Sequence, residues 1–126
     1  MRKQIMKTNE LTAYAKQRMT EIGAVAMRIN TGAVFDQKSG AYRSPSHEIG
    51  VPDILACFEG LFFGIEIKSK ESGDRYLSLG QYQFCNKIID SGGRVLVAQT
   101  PEDIDEWIEN GFPNSTLTDY LKKSKK

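Results

Sequence analysis

Histidine and cysteine are scarce in this chain: 126 residues hold one histidine, His47, and two cysteines, Cys57 and Cys85. So few imidazole and sulfur ligands cannot build a four-ligand zinc site without carboxylates. Hydrolases and nucleases that work through several histidines are excluded on the same ground. A Ser-His-Asp or Cys-His system would have to use His47, and no nucleophile motif accompanies it. No apolar run approaches the roughly 20 residues of a membrane-crossing helix. The basic start, MRKQIMKT, has no apolar segment after it and does not read as a signal peptide. Internal repeats, low-complexity tracts and long linkers are also missing. What these absences leave is an expected cytoplasmic protein. It should be a single domain over 1–126, with a core over about 8–110 and a basic tail over 111–126. The cysteines both sit in apolar patterns and read as reduced, buried small hydrophobes.

Net charge is nearly absent too, at +1, and does not advertise nucleic-acid binding. Its distribution says more. Glu102, Asp103, Asp105, Glu106 and Glu109 crowd one segment, whereas residues 1–100 hold 13 Lys or Arg against 10 Asp or Glu. The end of the chain, KKSKK, adds four positive charges and reads as a solvated terminus.

The patterned segments are short. Apolar residues at helical spacing predict a helix over about Asn9–Ile22, with Thr8 and Asn9 as caps and Gly23 as the stop. AVAMRINT (24–31) alternates and predicts a half-buried strand with Val25, Met27 and Ile29 inward. Gly32 and AVFD then complete a hairpin. QKSGAYRSPSHEIG (37–50) reads as an exposed loop, long enough in a small domain to suggest a function. PDILACF and LFFGIEIKSK, joined by Glu59-Gly60, are nearly continuous apolar strands of the kind covered on both faces. A helix follows over about Leu79–Ser91, capped by Ser78 and stopped by Gly92-Gly93. RVLVAQ (94–99) should return parallel to an earlier strand. Thr100-Pro101-Glu102-Asp103 starts a third helix, and STLTDYLKK gives a marginal one. The expected fold class is α/β, a mixed central β-sheet flanked by helices on both faces.

Inside this apolar stretch stand three charges, and burying a charge is costly unless it is paired or bound to metal. Glu66 and Lys68 share a strand face by alternation. The Glu59-Gly60 hairpin brings Asp53, at the start of the neighbouring strand, near Glu66. Two carboxylates that close repel, so one stays protonated unless a cation joins them. Hard oxygen ligands at this density suit Mg²⁺ or Mn²⁺, with the backbone carbonyl of Ile67 as a further ligand. Lys68 would then stand beside the attacking water and the charge that develops on phosphorus. An ion pair of Lys68 with Glu66 or with Asp53, at the edge of a sheet, accounts for the same residues without chemistry.

VPD (51–53), EIK (66–68) and LSLGQ (77–81) resemble the PD-(D/E)XK nuclease superfamily, and within it the VRR-NUC family. The resemblance runs from Glu10 to about Ala98 and includes Arg28-x-Asn30-x-Gly32, the polar loop, GVPD and SGGRVLVA. Each motif is weak alone; their order and spacing together are specific. The resemblance implies a restriction-endonuclease-like core and an Mg²⁺-dependent endodeoxyribonuclease, with Mn²⁺ able to substitute. Asp53 and Glu66 match its metal ligands, Lys68 its catalytic lysine and Gln81 its glutamine near the scissile phosphate. Gln83, two residues on, points elsewhere on the helix. Glu10 matches a helix-one acid that often joins the site, although Glu21 lies on the same helix. Small stand-alone members look like phage-type homodimers that cut four-way junctions or other branched DNA. Arg28, Arg43, Lys70 and Arg75 are the expected phosphate contacts, with Lys38, Tyr42 and His47 as weaker ones. Tyr82 could stack on a base, and Trp107 reads as packing. The competing reading is a DNA-binding or assembly module of a replication-repair complex that does not cut.

Overall fold

The protein is described by a computed structural model covering residues 6–29, 40 and 49–122, with backbone alone at 34–36 and 41–43. Lys38, His47, Asn30, Gly32 and residues 123–126 of the tail therefore lie outside the described residues, as do the side chains of Tyr42 and Arg43.

Glu59 and Gly60 take φ values of 51° and 80°, both in the left-handed region. That is the two-residue turn whose twist matches a right-handed hairpin. It sets Phe58 opposite Leu61 and joins β4 (Ile54–Phe58) to β5 (Leu61–Ile67). On the other edge of β4 lies β1 (Val25–Arg28), antiparallel, and on the other edge of β5 lies β6 (Arg94–Ala98), parallel. The sheet order is β1-β4-β5-β6. The expected hairpin between the strand at 24–31 and AVFD does not form. β1 pairs with β4, while β2 (Val34–Asp36) pairs with β3 (Ala41–Arg43), a strand inside the segment expected to be all loop.

The helices α1 (Thr8–Glu21) and α3 (Pro101–Glu109) cover one face, sharing a core with Ile54, Phe63, Ile65, Leu96 and Ala98. α2 (Leu79–Asp90) covers the β5–β6 half of the other face through Cys85 and Ile88 on Val95 and Val97. The apolar side of β1 is turned to this second face. Val25 is 75% and Met27 55% exposed, contrary to the inward placement expected, while Ala24 and Ala26 meet the core. Directly across the sheet, on the same face, Cys57 and Phe62 are exposed as well.

Capping is strong where the sequence has the residues for it. Ser78 and Gln81 form a reciprocal capping box on α2, and Thr100 and Asp103 form another on α3, behind Pro101. α1 starts one residue earlier than expected, with Lys7 at its N-cap and no side-chain cap. Packing extends past position 110. Asn114 and Ser115 bond along the outer edge of β6, Leu117 is buried beneath α2, and Trp107 is buried with its indole N–H on the Pro113 carbonyl.

Candidate active site

The alternation that built the sheet also assembles the site. One step beyond the Ile54–Ile65 pair, the register sets Asp53 opposite Glu66, and Glu66 in turn opposite Val97. Asp53 and Glu66 thus face the α2 side. Asp53 Oδ2 accepts the Ile67 N–H at 2.7 Å, and its own carbonyl accepts the Ile29 N–H at 2.8 Å. Those two bonds pin the residue between β1 and β5 just where β4 begins. Pro52 fits because residue 64 is glycine: a Cβ on Gly64 would stand 2.9 Å from Pro52 Cγ and 2.8 Å from Ile88 Cδ1.

Glu66 is 2% exposed. Gln81 Nε2 donates to its Oε1 at 3.2 Å, while Oε2, equally buried, has no hydrogen-bond partner. A buried, unmet carboxylate oxygen is rare and asks for an explanation. Burial, and after it the charge of Asp53 and a hydrogen bond to Asp53 available only to the protonated acid, push the Glu66 carboxyl up to about 9; Lys68 pulls the other way. Without a cation, then, Glu66 holds a proton at neutral pH. Cys85, buried behind the pair, is pushed up to about 12 by burial and by the two carboxylates, and stays a neutral thiol.

Lys68 is half-buried just past β5, where its N–H continues the parallel ladder to the Ala98 carbonyl at 2.8 Å. It pairs with neither carboxylate. Among the described residues the ion pairs are those of Arg18 with Glu21 and with Asp105. The alternative of a structural ion pair within the motif is therefore not what the residues form.

The donor set fits a small hard cation. The orphaned Glu66 Oε2 and the Asp53 carboxylate supply two charged oxygens. A strand residue's N–H and C=O point to the same side, so the Ile67 carbonyl lies on the Asp53 side, where pairing with β4 has ended. Two carboxylates and one carbonyl suit Mg²⁺ or Mn²⁺, which keep several waters. Among the described residues no three His, Cys, Asp or Glu side chains come close enough to hold a metal ion. Glu10 is accordingly outside the pair. It is exposed on the first turn of α1 and makes no bond to Asp53 or Glu66. That turn does reach the site end, since Thr8 Oγ1 and Ser69 Oγ share a hydrogen bond of 2.6 Å. Glu21 lies at the far end of the helix, about 16 Å along its axis, bonded to Arg18.

The cationic candidates divide. Arg28 ends β1 at the Asp53 side and donates to Asn9 Oδ1 at 2.9 Å. β5 stops at Ile67, so Lys70 does not continue the Glu66–Lys68 face; it is exposed in a 3-10 turn over Lys70–Ser72. Arg75 lies between the rings of Tyr76 and Tyr120, 5.6 and 5.7 Å from their centroids, and donates to the Asp119 carbonyl. Gln83 is exposed, and Tyr82 packs against the core beneath α2.

One contact escaped sequence reasoning. A Cβ on Gly50 would stand 2.2 Å from the Gly80 carbonyl oxygen. The segment leading to Asp53 therefore crosses the first turn of α2, and the crossing requires glycine at position 50; a Cβ on Gly80 would meet only the Ile49 side chain, at 3.1 Å. The glycine beside Val51-Pro52-Asp53 was the available signal.

No family model matches this chain, and no curated protein matches it. Among solved structures, one described as a VRR_NUC domain superposes with a TM-score of 0.59 at 20% identity, covering 83% of this chain and 97% of that one. The shared fold is a mixed α/β sheet flanked by helices, as in restriction-endonuclease-like domains.

Proposed function

We propose that this protein is a metal-dependent DNA endonuclease of the VRR-NUC type, acting on four-way junctions or other branched DNA. The observation that carries the reading is the buried Glu66 carboxyl set against Asp53, two acids that only a shared proton or a cation reconciles. Asp53, Glu66 and the Ile67 carbonyl are the groups that would hold Mg²⁺ or Mn²⁺. When bound, such an ion lowers the pKa of its water and offsets charge on the phosphate. The unpaired ammonium of Lys68 would orient the attacking water and offset charge developing on phosphorus. Arg28, Lys70 and Arg75 contact flanking phosphates and fix the register of the duplex without reading its sequence. Arg43 and Glu10 are proposed from the family resemblance alone.

The partner proposed besides DNA is a second copy of the chain. It would cover the open half of the sheet face, where Val25, Met27 and Phe62 are 75, 55 and 45% exposed. Two sites related by a two-fold axis suit paired cleavage of a junction.

The test is cleavage of labelled four-way junction, flap and linear duplex DNA with Mg²⁺, Mn²⁺ or EDTA, beside Lys68→Ala. Metal-dependent cutting that drops about 10²–10³-fold in the variant is the expected result. Junction binding without cutting under any metal favours the non-catalytic module instead.

A further inference from the structure

Gln81 has one amide and two obligations. Its Oε1 accepts the Ser78 N–H at 2.9 Å, closing the capping box of α2. Its Nε2 donates to Glu66 Oε1 at 3.2 Å. The first bond decides the second. With the carbonyl oxygen committed to the backbone of Ser78, the end of the amide that reaches the site is a donor. The Ser78 hydroxyl secures the other half of the box by accepting the Gln81 N–H at 3.1 Å. The Gly50–Gly80 crossing then sets the first turn of α2 against the segment that carries Asp53.

Glutamate is the usual alternative to glutamine at this position of a capping box. A glutamate would cap α2 equally well, but it would present an oxygen to Glu66 where a donor is needed. The choice of glutamine is thus explained by Glu66 and not by the helix.

We propose that Gln81 is a positioning residue. It acts through Glu66, holding Oε1 so that Oε2 stays on the Asp53 side, and it does not contact the scissile phosphate. The inference rests on the metal-site reading above, and it departs from the role that the family resemblance suggests for this glutamine.

The experiment compares Gln81→Leu, Ser78→Ala and Gln81→Glu with wild type in the full chain. Mn²⁺ binding is measured by calorimetry on DNA-free protein, beside thermal melting and junction cleavage. Gln81→Leu and Ser78→Ala each strip the box of one bond and should lower the melting temperature by similar amounts. Only Gln81→Leu should weaken Mn²⁺ binding, about 10–100-fold, the usual effect of losing a group that orients a metal ligand. Gln81→Glu should restore the melting temperature without restoring cleavage. Equal loss of Mn²⁺ affinity in Gln81→Leu and Ser78→Ala would overturn the inference in favour of a purely helical role. Unchanged Mn²⁺ affinity with weakened DNA binding in Gln81→Leu would overturn it in favour of a phosphate contact. Wild-type protein that binds no Mn²⁺ would overturn the metal-site reading itself, and this inference with it.

Discussion

The carboxylate of Asp53 closes on the backbone of Ile67, fourteen residues later in the chain, through a 2.7 Å bond from the Ile67 N–H to Oδ2. β4 has not yet begun at Asp53 and β5 ends at Ile67. The side chain therefore takes the place that a strand neighbour's carbonyl would fill. One oxygen extends the sheet, and the other is left beside Glu66.

That division separates two variants. Asp53→Asn keeps an oxygen for the Ile67 N–H, so its urea midpoint should stay close to wild type while Mn²⁺ binding and cleavage are lost. Asp53→Ala leaves the N–H unmet, and should in addition lose about 1–3 kcal/mol of stability. Equal stability of the two variants would show that the Ile67 bond contributes nothing.

Stability of the metal-free protein should depend on pH through Glu66. Its carboxyl is raised from the ordinary 4.5 to about 9, chiefly by burial. Between those values the folded chain holds a proton that the unfolded chain has released, so stability falls as pH rises. The contribution is complete below about 4.5, is lost through about 9, and amounts on the order of a few kcal/mol. Thermal melting in EDTA from pH 5 to 9 should show the decline. Glu66→Gln should flatten it, and Mn²⁺ should stabilise wild type more at pH 8 than at pH 6, since binding needs the deprotonated ligand.

Oligomeric state gives a further check. Met27 lies on edge strand β1 and is 55% exposed, opposite Leu55 on the face that α2 leaves open. If a second copy covers that face, Met27→Lys should convert dimer to monomer in analytical ultracentrifugation and leave the melting temperature of the monomer unchanged. A wild-type chain that sediments as a monomer at tens of micromolar sinks the dimer proposal.

The elements with local punctuation were legible in the sequence: the Glu59-Gly60 hairpin, the Ser78 and Thr100 helix starts, and the parallel return of RVLVA. So was the meeting of Asp53 with Glu66, because strand alternation and a two-residue turn fix it. Edge strands were not. Val25 and Met27 alternate like residues with a buried side, but whether that side meets a core depends on how far α2 extends over the sheet. The pairing of β1 with β4, across 25 residues of intervening sequence, carries no local signal either. The isolation of Glu10 from the carboxylate pair follows from where α1 docks, which its own periodicity does not encode.

Gly50 offers the most severe test of how the site is built. Its φ of 89° lies where side chains are strained, and a Cβ there would stand 2.2 Å from the Gly80 carbonyl oxygen and 2.8 Å from the Gln81 nitrogen. Both neighbours are backbone, so no side chain can yield. Left-handed strain of about 1–2 kcal/mol adds to an overpacking term of about 1–3 kcal/mol. Gly50→Ala should therefore be destabilised by about 2–5 kcal/mol in urea unfolding. Relief of the clash requires the Gly50 segment and the start of α2 to separate. Asp53 follows one and Gln81 the other, so cleavage should fall well beyond the loss of folded protein. Gly60→Ala is the control: its φ is 80°, but nothing lies within 4 Å of the added carbon. It should carry the strain alone and keep full specific activity. Equal activity per folded molecule in the two variants would show that the crossing at Gly80 supports the fold and not the site.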